Sequence, residues 1–306
     1  MKKYEYRIVN TNTYSRCLNM ANELIEQISI QLKISKSKIL PSDIIIFFEN
    51  QHNIKFNFFE ADNSNNQVVY KDLIPNAEFK LVDNSLINRI SGATFPNKGR
   101  ILILINQTMP LPRIIFTILH ELCHLHFHNL EQNKRIFASK FSGIYPDELM
   151  PFEDEANIIA SILFCPTEKL ETLLTRNYSF NRICALINIS KTALRNRILN
   201  YLYHIIRLDY KEASNLVENF KNDNYKATNK IKNLINKKNI KRTTIKFYPV
   251  KTSRGVIEDY QTCLKFLQNL SINELLFEQE YAHFSKNRVL EQLIMNEYLR
   301  KQQSNI

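Results

Sequence analysis

The chain has 306 residues, 44% of them apolar, so it has enough material for one large or two ordinary cores, and disorder as its general state is excluded. Five cysteines without a CxxC spacing exclude a disulfide framework and a cysteine metal site, and no stretch approaches the roughly 18 unbroken apolar residues of a membrane helix. The net charge of +11 is concentrated: residues 221–255 carry eleven Lys and Arg against the single acid Asp223.

Nine prolines and only four glycines predict a helix-rich chain with a modest sheet. The charged start Met1 to Asn10 lacks the apolar core of a signal peptide, so a soluble cytoplasmic protein is expected. Leu18, Ala21, Leu24, Ile25 and Ile28 recur at helical spacing over residues 14–33, and Pro41-Ser42-Asp43 starts a second helix. Partial alternation marks strands at Ile54 to Glu60 and Glu78 to Val82, and further strands are read at Ser91 to Pro96 and Arg100 to Ile105.

After Pro110 and Pro112 a helix is expected from about Arg113. It carries His120-Glu121-Leu122-Cys123-His124, an HExxH motif. Four residues advance a helix by about 400°, so His120 and His124 project one turn apart from one face, as two ligands of one ion must. Glu121 is turned by about 100°, close enough to take a proton from a metal-bound water without displacing it. Ile115, Ile118, Leu119, Leu122 and Leu125 form an apolar stripe opposite the histidines, with Arg113 and Thr117 on the histidine side.

A loop with Gly143 and Pro146 leads to a helix from about Glu153 to Pro166, in which Glu153, Asn157, Ala160 and Phe164 share a face. Glu153, 29 positions after His124, is the candidate third ligand, and Asn157 the candidate partner for the outer nitrogen of a ligating histidine. Two imidazoles and a carboxylate suit one zinc ion and leave a fourth position for water. Glu121 is then the general base for attack on a peptide carbonyl. Arg113, Tyr145 and His283 are candidates for oxyanion stabilisation, and Arg113, Thr117, His128 and Tyr145 for lining the cleft; His126 reads as a packed or hydrogen-bonded histidine.

Two short helices meet at Asn188 to Ser190 within residues 178–203, with Arg195 and Arg197 in the second. This pair completes the first domain more readily than it enters a DNA groove, because groove entry needs exposed base-reading side chains. Residues 1–222 are assigned to the first domain, and 223–306 to a basic linker and a helical C-terminal domain with Leu264, Phe266, Leu267, Leu270, Val289, Leu290, Leu293 and Ile294 in its packing. Nucleic-acid contact through Lys221 to Arg254 is weighed as the lesser alternative to a solvated surface.

Residues 90–200 resemble the ImmA/IrrE-like metallopeptidases. The resemblance is carried by Ser91-Gly92-Ala93 and Ile101 to Asn106, by Arg113 with Phe116-Thr117 and the HExxH motif, by Glu153-x-x-Ala156-Asn157, Ala160 and Pro166, and by Ile189-Ser190 to Ala193-Leu194-Arg195 and Arg197. Departures are Cys123, where a small residue such as glycine is usual, and Phe164-Cys165 before Pro166. The resemblance implies an α+β, zincin-like metalloprotease domain of gluzincin type followed by a helix-rich region. It also implies a zinc endopeptidase that cuts a helix-turn-helix repressor of a mobile element or stress response. The rival expectation is a non-proteolytic regulator that binds DNA or a repressor and holds a structural metal.

Overall fold

A computed structural model describes residues 7–61, 73–87, 89–97, 99–128, 137–140, 147–243, 249–258, 260–285, 287, 290–291, 293–295, 297–298 and 301. The architecture is α+β: a helix-rich chain around a small mixed sheet, as the composition predicts. The chain divides into two compact units, Met1–Ile235 and Asn236–Ile306.

The first unit opens with α1 (Thr11–Leu32), capped by the Asn10 side chain, which accepts from the Thr13 N–H. Tyr14, Cys17, Ala21, Leu24, Ile25 and Ile28 form its buried stripe; burying each of the larger aliphatic side chains is worth about 1.5–3 kcal/mol. Leu18 lies at the edge of that stripe, half-buried. α2 (Pro41–Gln51) begins where proline sets the first turn, and the Asp43 carboxylate accepts from the Leu40 N–H at 2.8 Å.

Five strands follow, β1 (Ile54–Ala61), β2 (Glu78–Val82), β3 (Ile90–Asn97), β4 (Arg100–Asn106) and β5 (Phe137–Lys140), with α3 (Asn84–Ile87) before β3. Their order is β2-β1-β4-β3-β5: β1 runs parallel to β2 and β4, and β3 antiparallel to β4 and β5. Phe56 to Glu60 are buried without interruption, the pattern of a central strand covered on both faces, and this is why the alternation in β1 is only partial. β3 turns into β4 as a hairpin through Gly99, whose φ of +77° suits a residue without a side chain.

α4 (Leu111–Phe127) packs on β3 and β4 and against α5 (Met150–Phe164), which in turn packs on α1. α4 therefore has no solvent-facing histidine side: Ile114, Ile115 and every residue from Thr117 to His124 are buried. The one-sided stripe expected from periodicity is corrected here, because the sheet covers one flank of the helix and α5 another. α5 starts one turn earlier than expected, with proline in its first turn, so Glu153 sits within the positive end of the helix.

α6 (Thr167–Thr175), α7 (Phe180–Leu186) and α8 (Lys191–Asn200) follow. Between α7 and α8, Asn188 adopts a φ of +48° and Ser190 caps α8 by accepting from the Ala193 N–H. α8 runs on as a π-helical turn over Tyr201–Ile205, then α9 (Tyr210–Lys221) follows. The segment expected as a linker is instead helical, α10 (Tyr225–Thr243), with Ala227, Ile231 and Ile235 in the core of the first unit. Their i, i+4, i+8 spacing is a helix stripe hidden in a composition dominated by Lys and Asn.

The second unit contains a hairpin of β6 (Val250–Thr252) and β7 (Gly255–Ile257), then α11 (Tyr260–Asn269) and α12 (Ile272–Phe284). Its core is Val250, Cys263, Leu267, Leu270, Leu275, Ala282, Leu290 and Ile294, with Phe266 and Leu293 half-buried against it. Leu264 is half-buried, and Val289 lies outside the described residues. The hairpin is absent from the sequence reading, because strands of three residues carry too little alternation to register. No helix among the described residues is long and apolar enough to cross a membrane.

Candidate metal centre

The rings of His120 and His124 meet edge to face on the buried flank of α4, and their Nε2 atoms are 3.0 Å apart. Glu153, reaching in from the first turn of α5, places Oε2 at 3.2 Å from His120 Nε2 and Oε1 at 3.5 Å from His124 Nε2. One ligand atom from each of the three residues lies within 4.8 Å of the other two, and each residue is buried. Ligand atoms about 2.0–2.1 Å from a tetrahedral ion stand roughly 3.3 Å from one another, so these separations fit a common divalent ion.

The two imidazoles differ electrostatically while no ion is bound. Burial opposes charge on the His120 ring, but the hydrogen bond and charge of Glu153, with the charge of Glu121, outweigh it and raise the pKa above its ordinary value. For His124 burial prevails over the same carboxylate and pulls the pKa down to about 3, so that ring is neutral at physiological pH. Burial pushes Glu153 up, yet its bonds to the two rings draw it down to about 2. A neutral imidazole beside an ionised carboxylate is the protonation state that metal binding requires.

Glu121 is wholly buried, and its carboxylate points to the sheet side of the helix, where the Thr94 hydroxyl donates to Oε2 at 2.6 Å. The helix can approach the sheet this closely because β3 has Gly92 at the crossing. A Cβ there would lie 2.6 Å from Thr117 Cγ2 and 3.0 Å from Glu121 Oε1. Gly92 and Thr94, two residues apart on a strand, share the face that receives the motif helix. In the sequence Gly92 and Thr94 carry no motif of their own, and only their period-2 spacing within the strand marks them as neighbours on one face.

The remaining candidates separate. Thr117 is buried, and its hydroxyl meets no hydrogen-bond partner among the described residues. Arg113 is exposed, with its guanidinium over the Phe116 ring at 5.7 Å, and its charge works against the rise in the His120 pKa without reversing it. Asn157 is half-buried one turn beyond Glu153. His128, placed among the cleft residues by its spacing, is buried with Nδ1 at 2.7 Å from the outer nitrogen of His124. His126 is exposed by area, yet its ring packs edge to face on the buried Phe48, and burial lowers its pKa. Tyr145 lies outside the described residues, and His283 belongs to the second unit, where its Nδ1 is 3.0 Å from Glu291.

The helical pair is tied inward. Arg197 is fully buried and donates to Cys165 O and Thr167 Oγ1, each at 3.0 Å, and to the Tyr14 hydroxyl, while Arg195 pairs with Glu218. Arg197 thus joins α8 to the end of α5 and to α1, and it is not available to read bases. All five cysteines are free thiols, with Cys123 buried inside the motif.

Residues 84–199, which run from α3 to the end of α8, match the Peptidase_M78 family model, the IrrE N-terminal-like domain. The match supports an ImmA/IrrE-like protein and a metallopeptidase. No curated protein matches the chain.

Proposed function

We propose that the chain is a cytoplasmic zinc endopeptidase that hydrolyses a peptide bond in a regulatory protein, a helix-turn-helix repressor being the class implied by its resemblance to the ImmA/IrrE-like group. The observation that carries this reading is the convergence of His120 Nε2, His124 Nε2 and the Glu153 carboxylate at separations suited to one ion, beside a buried carboxylate held by Thr94.

His120, His124 and Glu153 would hold the metal. A zinc ion bound there supplies Lewis-acid polarisation of a carbonyl and brings the pKa of a water towards about 7. Glu121 takes the proton from the attacking water as its oxygen bonds to the peptide carbon, and it returns that proton to the amine as the C–N bond breaks. Thr94, donating to Oε2, fixes the carboxylate for both transfers. Burial of the ligands excludes competing water from their faces and keeps His124 neutral.

The test is co-expression with candidate helix-turn-helix repressors. A defined fragment that disappears with a chelator and returns with added zinc is expected. An intact partner at full zinc occupancy would reject that protein as substrate, and an absence of zinc binding would reject the enzyme reading.

A further inference from the structure

His124 has two ring nitrogens and each faces a different neighbour: Nε2 faces His120 and Glu153, and Nδ1 lies 2.7 Å from Nδ1 of His128. His128 follows one turn later at the end of α4 and is buried, and its ring meets Phe152 of α5 edge to face at 5.1 Å. The other nitrogen of His128, Nε2, is 3.7 Å from Glu155 Oε2, and Glu155 is itself paired with Arg16 of α1.

We propose that His128, set by Glu155 and Arg16, is a positioning residue that holds His124 in the one tautomer and ring orientation able to ligate a metal through Nε2. The inference rests on the metal reading above. Two nitrogens 2.7 Å apart share one proton, and there are two ways to place it. If His128 donates, His124 must carry its proton on Nε2, where it cannot ligate, and the lone pair of His128 Nε2 then confronts the Glu155 carboxylate. If His124 donates from Nδ1, its Nε2 lone pair points at Glu153 and the ion position, and His128 presents N–H to Glu155. With a cation held at His124 Nε2 its lone pair no longer opposes Glu153, and the Glu155 charge, 3.7 Å from His128 Nε2, then favours the second assignment over the first. A carboxylate commonly bonds a ligating histidine directly, and here a second imidazole is interposed.

The experiment measures zinc affinity of the full chain by competition with a chromophoric chelator, together with the melting temperature of each metal-free variant. Wild type should bind one zinc per chain. His128→Leu should weaken binding by about 10- to 100-fold, the usual cost of losing such an outer partner. His128→Asn, whose Oδ1 replaces Nδ1 as acceptor, should recover most of the loss at an unchanged metal-free melting temperature. Should His128→Leu prove insoluble, Glu155→Gln serves, with an expected loss of several-fold. Wild-type affinity in His128→Leu or in Glu155→Gln, or equal losses in the Leu and Asn variants, would overturn the proposal while leaving the metal centre standing. Failure of the wild-type chain to bind zinc would instead remove the metal reading itself.

Discussion

Thr94 Oγ1 donates to Glu121 Oε2 at 2.6 Å, linking the first strand of the β3–β4 hairpin to the base of the HExxH motif with both side chains fully buried. A hydrogen bond to an ionised group is worth about 1.5–3 kcal/mol, so its removal should be visible in rate. Thr94→Val is expected to lower turnover about 10- to 100-fold at unchanged zinc content, and Thr94→Ser to retain most of it. Equal turnover in the Val variant and wild type would show that the hydroxyl does not orient the base.

Gly92 is required by space and not by backbone conformation, since an added Cβ would stand 2.6 Å from Thr117 Cγ2. Neither a β-branched side chain on a buried helix nor the sheet below it gives way easily. Gly92→Ala should therefore destabilise the fold by about 1–3 kcal/mol, as overpacking does, and displace Glu121 with it. Urea unfolding measures the first effect and peptide hydrolysis the second.

Ligand and base are expected to separate cleanly on substitution. Glu153→Ala removes the carboxylate that both imidazoles face, so metal analysis of the purified variant should find far less than one zinc per chain. Glu121→Gln should keep the zinc and lose about 100- to 10,000-fold in hydrolysis, the range for a lost general base. A Gln variant that cuts as fast as wild type would disprove the proton-transfer role.

His204, buried in the π-helical turn and stacked on Tyr14 at 4.2 Å, has its pKa pulled down to about 4, first by burial and then by the Arg207 charge. The folded chain resists the proton that the unfolded chain accepts below its ordinary value near 6.5. The stabilising contribution of the neutral ring is thus complete above pH 6.5 and lost as the pH falls towards 4. His204→Phe keeps a stacked ring without a titratable group. Between pH 7 and pH 5 its melting temperature should fall by a few degrees less than that of wild type.

Much of this protein is local in origin and so is written in its sequence. Helix α1, the Pro41 start, the Asn188 to Ser190 turn and the HExxH spacing depend on side chains within a few positions of one another, where periodicity and capping operate. Glu153 opens its helix together with Asp154 and Glu155, and acids are common in a first turn, so it is the packing of α5 on α4 that brings this one carboxylate to both imidazoles. The helix in residues 225–243 was missed because its Ala227, Ile231 and Ile235 stripe is sparse, and composition outweighed period.

Contacts between elements distant along the chain were decided only by tertiary structure. That α4 is buried on more than one flank follows from the sheet and α5 closing on it together, which no single-helix pattern contains. The bond from Thr94 to Glu121 spans 27 positions, and the Arg197 bond to Tyr14 spans 183. The sequence by itself determined which groups could ligate and accept a proton, because that is fixed by residue type and helical spacing. Which neighbours hold those groups in place depends on how strands and helices pack, since a hydrogen bond needs two atoms within about 3 Å and chain order does not supply that distance.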